Sequence, residues 1–262
     1  MSEKTLLYLL IAAVVLLILL FFVMKVYDYM TSKGDVESCR LSILAAAEAR
    51  LAGRTTVTMH CPRKSLVLSK ESYTVDGDKK KYSSKDYATN VKQIFAQEMV
   101  ECWSKTGEGE ANTFEEALVG NTNACLICSH IQFQETPDED IGSLSDYLKK
   151  TNIPVSVATQ LEDVTYYDYI NRDFQQKAFA ENSFFVSILQ ALGIDYGTKT
   201  LHSNILLDDQ GEIDPTKQYY ILLLGIKRGA FEIYEQDTYF MVVGKTETLT
   251  PEKTRFCDYL YN

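Results

Sequence analysis

The sequence has few of the residues and motifs on which most enzyme active sites depend. It contains three histidines, one tryptophan and five prolines in 262 residues. It has no P-loop and none of the motifs G-x-S-x-G, H-E-x-x-H and G-x-G-x-x-G. Positive charge is also scarce, because 26 lysines and arginines face 36 aspartates and glutamates, for a formal net charge of -10. An acidic chain repels phosphate backbones, so we expect no nucleic-acid partner, and no motif indicates a cofactor.

Charge is absent from one long segment near the N-terminus. Residues 6–24, LLYLLIAAVVLLILLFFVM, form an unbroken apolar run of 19 residues. As a helix this run would span roughly 30 Å, the thickness of a bilayer's hydrocarbon core. A buried core helix and a cleaved signal peptide are the alternatives, but the run ends in FFVM without the small residues that cleavage needs. We therefore predict an uncleaved single-pass anchor, with positions along its length at Leu6, Leu10, Val14, Leu17, Phe21 and Met24.

The distribution of cysteine indicates the side of the membrane on which the rest of the chain lies. A count of basic residues around the anchor (Lys4 before it; Lys25, Lys33 and Arg40 after it) would by itself keep the domain in the cytoplasm. A short N-terminal segment ahead of a long domain is instead typical of a signal anchor with an exported domain. All six cysteines follow the anchor, which favours an oxidising compartment and up to three disulfides. The candidates are Cys39, Cys61, Cys102, Cys125, Cys128 and Cys257.

The stretch NACLICSHIQF at residues 123–133 contains a C-x-x-C pair. Its apolar alternation predicts a strand, in which Cys125 and Cys128 point to opposite faces and belong to two separate disulfides. A thiol–disulfide oxidoreductase using Cys125 and Cys128 is one alternative. A zinc site with Cys61, Cys102, Cys125 and Cys128 as ligands, beside His60 and His130, is another. The pairing of the cysteines stays open, since six allow 15 connectivities.

Two further stretches carry side chains that could bind a ligand. LLDDQGEIDPTK groups four carboxylates around Gly211, which an exported protein could use for calcium, although an acidic turn explains them equally well. These carboxylates belong to Asp208, Asp209, Glu212 and Asp214. TYYDYINRDF groups aromatic side chains that could stack on a sugar or a partner, and helical spacing places part of this group in the core. Its members are Tyr166, Tyr167, Tyr169 and Phe174.

Periodicity predicts an α+β fold, with an N-terminal transmembrane helix followed by a soluble domain of antiparallel sheet and packed helices. Residues 1–34 form the anchor and juxtamembrane helix, and residues 35–262 the soluble domain, with possible lobes at 35–135 and 150–262. We expect a hairpin whose strands are TTVTMHC and SLVLSKESYTV and whose turn is CPRK, followed by DGDKKK as a polar loop tip and by a helix capped by Ser84 that runs to about Lys105. We expect a short helix from Ser143 to Lys150, and a longer one over DVTYYDYINRDFQQKAFAE with Asp163 or Thr165 as its cap. QYYILLLGI and TYFMVVGK predict buried strands.

The order of parts resembles that of type IV pilin-like proteins, in which an apolar helix precedes a disulfide-bearing, β-rich head. This resemblance implies a filament subunit, but MSEKTLLYLL has no glycine or alanine where a pilin-type processing site would lie. The stretches MVECWSK, CLICSHIQF and TYYDYI are similar to those of uncharacterised single-anchor exported proteins of small archaea. That second resemblance implies no activity.

Together these features predict a membrane-anchored, extracytoplasmic interaction or cell-envelope protein that is disulfide-stabilised and non-catalytic. Its expected partners are the lipid bilayer, through residues 6–24, and another protein or envelope component. The alternatives are a pilin-like structural subunit and the membrane-tethered oxidoreductase described above.

Overall fold

The computed structural model describes residues 15–16, 19, 38–42, 61–105, 123–135, 140–154, 163–171, 205–207, 211–226, 238–248 and 259–261. Of the apolar run at residues 6–24, only positions 15, 16 and 19 belong to this set, and they are helical. In the part of the chain that the structure describes, no helix is both long enough and apolar enough to cross a membrane. The anchor positions outside the described residues are Leu6, Leu10, Val14, Leu17, Phe21 and Met24.

The described residues form a mixed eight-stranded sheet with three α-helices of defined bounds, together with the helical residues 38–42 and a short 3-10 helix at Thr246–Thr248. The strand order is β3-β2-β1-β4-β6-β7-β5, and β8 also pairs with β4. The strands are β1 Lys64–Leu68, β2 Ser72–Val75, β3 Asp78–Lys81, β4 Asn123–Phe133, β5 Ile205–Leu207, β6 Tyr219–Ile226, β7 Thr238–Lys245 and β8 Tyr259–Tyr261. The helices are α1 Tyr87–Lys105, α2 Leu144–Lys150 and α3 Tyr166–Ile170.

The α+β class is confirmed, but the expectation of an antiparallel sheet is only partly right. β1 and β8 both run parallel to β4, and β5 runs parallel to β7. β1 and β4 are parallel because the chain between them passes through the β2–β3 hairpin and helix α1 before it re-enters the sheet. Strands from both expected lobes, 35–135 and 150–262, therefore lie in one sheet.

Strand β4 occupies the centre of this sheet and pairs along both of its edges. β6 follows one edge, from Asn123 opposite Ile226 to Ile131 opposite Tyr219. β8 and β1 divide the other edge, with β8 along residues 124–126 and β1 along residues 129–133. Side chains on both faces of β4 and β6 are buried, as the continuous apolar run in YYILLLGI predicts.

A β-bulge interrupts β4 between Ile127 and Ser129. Cys128 and Ser129 both contact helix α1, Cys128 through a disulfide and Ser129 through a hydrogen bond. Simple alternation predicts Ser129 and Ile131 on the face of Cys125, whereas the bulge moves them to the face of Cys128. The extra residue changes the side of the sheet to which every later side chain of the strand points.

Helices α1 and α2 begin and end close to the predicted positions, whereas α3 ends at Ile170, with Asn171 as its C-cap, instead of continuing to about residue 181. Side chains at helical spacing along α1 are buried as expected, but Asp86, not Ser84, caps its first turn by accepting a hydrogen bond from the Thr89 amide at 3.2 Å. Ser143 and Thr165 cap α2 and α3 in the same way. The buried side chains of α1 that the sequence predicts are Val91, Ile94, Phe95, Met99, Cys102 and Trp103.

The stretch SLVLSKESYTV was expected as one strand of a hairpin, but it forms β1 and β2, which pair antiparallel with each other. Its expected partner, TTVTMHC, lies outside the described residues except for Cys61. A second hairpin, between β2 and β3, was not predicted. Asp76 and Gly77 form its two-residue turn, with φ values of 52° and 94°. Both residues have positive φ, as in the Asp-Gly type I′ turn that suits a right-twisted hairpin. Residues 78–81, expected as part of a loop tip, form strand β3 instead.

Close packing at Gly244 gives a prediction about stability. A β-carbon at Gly244 would lie 2.5 Å from the Tyr220 hydroxyl oxygen and 2.8 Å from its Cζ. Because Tyr220 is fully buried, the ring has no free space to move into. We expect Gly244→Ala to lower the free energy of unfolding by roughly 1–3 kcal/mol, measured by urea denaturation. In a Tyr220→Leu background the same change should cost much less, and equal losses in the two backgrounds would contradict this packing.

Candidate functional site

The prediction of disulfide bonds is confirmed. Cys39 is joined to Cys61, with Cα atoms 4.5 Å apart, and Cys102 is joined to Cys128, with Cα atoms 5.6 Å apart. The first bridge ties the helical residues 38–42 to the approach to β1, and the second ties α1 to β4. Cys125 is also disulfide-bonded. No described cysteine is free.

These bridges decide between the interpretations of the C-x-x-C pair. Cys128 bonds to Cys102 and not to Cys125, so the pair does not form one redox dithiol. Zinc binds thiolates, and the four cysteines of the alternative zinc site are all in disulfides, which corrects that alternative. Within the described ranges no three His, Cys, Asp or Glu side chains are grouped closely enough to hold a metal ion. The corrected zinc set is Cys61, Cys102, Cys125 and Cys128.

The two other candidate ligand sites are the acidic stretch around Gly211 and the aromatic stretch TYYDYINRDF. Among their described residues, several side chains have structural roles. The Asp214 carboxylate accepts hydrogen bonds from the backbone and side chain of Thr216 at 2.9 and 2.7 Å, which lower its pKa and fix a turn. Asp208 and Asp209 lie outside the described residues. In the aromatic stretch, Tyr166 and Tyr169 are buried in the core. Tyr167 contacts the Lys149 ammonium, whose nitrogen lies 5.5 Å from the ring centroid, and Phe174 is not described.

A buried network of charged side chains lies between α1 and the parallel strands β1 and β4. It consists of Lys64 on β1, Glu98, Glu101 and Lys105 on α1, and Ser129 on β4, and we call it the α1–sheet charge network. The Lys64 ammonium contacts the Glu101 carboxylate and lies 3.6 Å from the Glu98 carboxylate. The Ser129 hydroxyl donates a hydrogen bond to Glu98. Glu98 is 8% exposed and Lys105 is 2% exposed, which is rare for charged residues in a core.

Burial sets the titration of this network. It raises the pKa of Glu98 above its ordinary value and outweighs the opposing attraction of Lys64. Burial alone would lower the pKa of Lys64, but the carboxylates of Glu98 and Glu101 together raise it. The pKa of Tyr73, on neighbouring β2, is raised by burial and by Glu98. Each charge is therefore stabilised mainly by the others, so removal of one would leave its partner buried and uncompensated.

Perturbed titratable groups are candidates for function, but access limits what this network can do. A serine hydroxyl bonded to a carboxylate is the arrangement of an activated nucleophile. Ser129, however, is 0% exposed, so no substrate reaches it. The geometry supports a second use, in which the network aligns α1 on the sheet next to the Cys102–Cys128 bridge.

A smaller polar group lies on the opposite face of the sheet, around half-buried His130. Gln132 Nε2 lies 3.1 Å from His130 Nδ1, and His130 Nε2 lies 3.1 Å from the Thr246 hydroxyl. If the Gln132 amide donates, the ring's proton is on Nε2. Burial and the positive charge of Arg63 lower the pKa of His130, so the ring is neutral at physiological pH. Its neighbours in the sequence, Cys128 and Ser129, point to the other face, so the structure does not form a Cys–His pair here.

Sequence reasoning missed the charge network, although one signal for it exists. Glu98 lies three residues after Phe95 and four before Cys102, so helical spacing alone places it on the buried face of α1. No such signal exists for Lys64, because its approach to Glu98 depends on the parallel pairing of β1 with β4.

No protein-family model matches the chain, and neither a curated protein nor a solved structure is significantly similar to it.

The third bridge gives the first prediction from this region. With Cys39–Cys61 and Cys102–Cys128 assigned, Cys257 is the one cysteine in the sequence left for disulfide-bonded Cys125. We expect non-reducing peptide mapping to recover a linked pair of peptides that contain Cys125 and Cys257. Recovery of a Cys125–Cys128 peptide, or of alkylated Cys257, would contradict this assignment.

The charge network gives a prediction about pH. We expect Lys64→Met to lower the free energy of unfolding at neutral pH by roughly 3 kcal/mol, because it leaves the carboxylates of Glu98 and Glu101 without their partner. Because the pKa of Glu98 is raised in the folded state, its protonated form favours folding, and this advantage is lost as pH rises through the folded-state pKa. The loss caused by Lys64→Met should therefore shrink as pH falls toward about 4.

Two comparisons isolate this effect. In a Glu98→Gln background, Lys64→Met should cost less, since the buried carboxylate is gone. The matched surface control is Lys150→Met, which removes an exposed ion pair with Asp146 at 3.2 Å and should change stability by no more than about 1 kcal/mol. A pH-independent loss for Lys64→Met would show that packing, rather than charge, accounts for it.

Proposed function

We propose that this chain is a membrane-anchored, extracytoplasmic interaction or cell-envelope protein with a disulfide-stabilised, non-catalytic domain. The observation that carries the proposal is that every described cysteine is disulfide-bonded. Stable disulfides are typical of proteins outside the reducing cytoplasm. The described cysteines are also buried, as is usual for bridges that stabilise a core.

The few described residues of the apolar run support an anchor. Val15, Leu16 and Leu19 are helical, and they are 49%, 60% and 56% exposed. Large apolar side chains rarely point outward in a group unless a membrane or a partner covers them. In an uncharged run of 19 residues, lipid is the partner that fits the length.

The interior of the domain supports a binding role over a catalytic one. The described polar clusters are the α1–sheet charge network and the group around His130, and their side chains bond mainly to one another. Ser129, the hydroxyl best placed for activation, is fully buried. Interaction with another protein or an envelope component would then use the outer surface of the domain.

The two other functions receive less support. An oxidoreductase needs an accessible dithiol, whereas Cys125 and Cys128 are buried and belong to different bridges. Nothing among the described residues favours a pilin-like filament subunit.

Membrane fractionation of the full chain, combined with thiol counting, tests this proposal. We expect the protein to stay in the membrane pellet after alkaline carbonate extraction. Material acid-quenched from intact cells should contain no alkylatable thiols until it is reduced. Leu10→Lys with Leu17→Lys should release the protein into the supernatant, because each lysine at the centre of a span costs about 3 kcal/mol. The matched control, Leu10→Ile with Leu17→Ile, should stay in the pellet. Six reactive thiols in quenched cells, or release of the unmodified chain by carbonate, would refute the proposal.

A further inference from the structure

The outermost strand of the sheet carries consecutive lysines. β3 lies at one end of the strand order, and all four of its residues, Asp78 to Lys81, are exposed. In a strand, successive side chains point to opposite faces, so the lysines extend to both sides of the edge. We call Lys79, Lys80 and Lys81 the lysine edge.

The lysine edge is positive although the chain as a whole has a formal net charge of -10. Two nearby carboxylates are held by local hydrogen bonds: Asp76 accepts from the Ser65 amide at 2.7 Å, and Asp86 accepts from the Thr89 amide at 3.2 Å. In the described residues the three lysines have no salt bridge, so their ammonium groups are available to an anionic partner.

The Cys39–Cys61 bridge limits how far this edge can lie from the proposed anchor. Along the chain, 37 residues separate Met24 from Cys61. The route through the bridge is shorter, because it follows the 15 residues from Met24 to Cys39 and then crosses the disulfide to Cys61. Fully extended, these segments reach at most about 125 Å and about 50 Å, respectively. Cys61 lies three residues before β1, and β3 is the second strand beyond β1, roughly 10 Å away. The bridge therefore shortens the tether between the proposed anchor and the lysine edge, and the edge can reach the bilayer.

We propose that the lysine edge docks on the anionic headgroups of the bilayer that holds the anchor. The inference rests on the proposed function, since the anchor brings the surface within reach. Lysines near an anionic membrane surface each strengthen binding about fivefold, and salt screens the attraction. Lysines on an edge strand also prevent aggregation between strands of different molecules. If that were their only role, the three lysines would be equally exposed beside anionic and neutral bilayers.

Amine acylation of the full chain in nanodiscs distinguishes these two roles. The discs contain either phosphatidylcholine alone or equal parts of phosphatidylcholine and phosphatidylglycerol, and mass spectrometry measures the acylation of each lysine. We expect acylation of Lys79, Lys80 and Lys81 to be roughly fivefold slower in the anionic discs, and to recover in about 1 M salt, where the screening length falls to about 3 Å. Lys149 and Lys150, exposed on α2, are internal controls and should not change.

A second measurement uses variants and the single tryptophan, Trp103, as a donor for energy transfer to headgroup-labelled lipid. Lys79→Gln, Lys80→Gln and Lys81→Gln together should reduce transfer in anionic discs and leave it unchanged in neutral discs. The control pair, Lys149→Gln with Lys150→Gln, should behave as the unmodified chain. A chain that does not co-purify with discs contradicts the proposed function. If the chain co-purifies with the discs, but acylation is equal in both lipids and the triple variant gives the same energy transfer as the unmodified chain, the docking of the lysine edge is wrong. The proposed function is not contradicted by that result.

Discussion

The hydrogen bonds along β4 are the interaction on which the rest of the described fold depends. This strand joins parts of the chain that are far apart in sequence: β1 and β8 on one edge and β6 on the other. Parallel pairings of this kind form late and close long loops, so their entropic cost is high. The sheet therefore needs additional constraints that act at β4 itself.

Two of those constraints attach α1 to the strand. The Cys102–Cys128 bridge closes a loop between residues 26 positions apart, which in the chain-entropy model stabilises the fold by about 3.5 kcal/mol. One residue further along β4, Ser129 binds Glu98 of the same helix. The bulge makes this double attachment possible, because it turns two consecutive residues toward α1. A buried carboxylate is tolerated there because Lys64, on the neighbouring strand, lies beside it.

Much of this architecture could be predicted from local patterns. The apolar spacing of α1, the Ser143 and Thr165 caps and the buried run of β6 follow from the sequence alone. Strand β3 was missed because lysine is depleted in strands, although Asp76-Gly77 is a strong hairpin signal. The bulge, the parallel pairing and the approach of Lys64 to Glu98 depend on contacts between distant segments. No local pattern determines them, and the candidate site was missed for that reason.

The bridges also determine where the two ends of the domain are held. Cys61, bonded to Cys39, lies three residues before β1, so the bridge attaches the helical residues 38–42 to the sheet at the start of the β1–β4 pair. The C-terminal strand β8 pairs with the same edge of β4, beside Cys125. Because the outer hairpin β2–β3 extends from β1 on the opposite side from β4, its surface lies outside these attachments. A partner bound at β3 would therefore meet a surface that is free of the strand pairings made by β4.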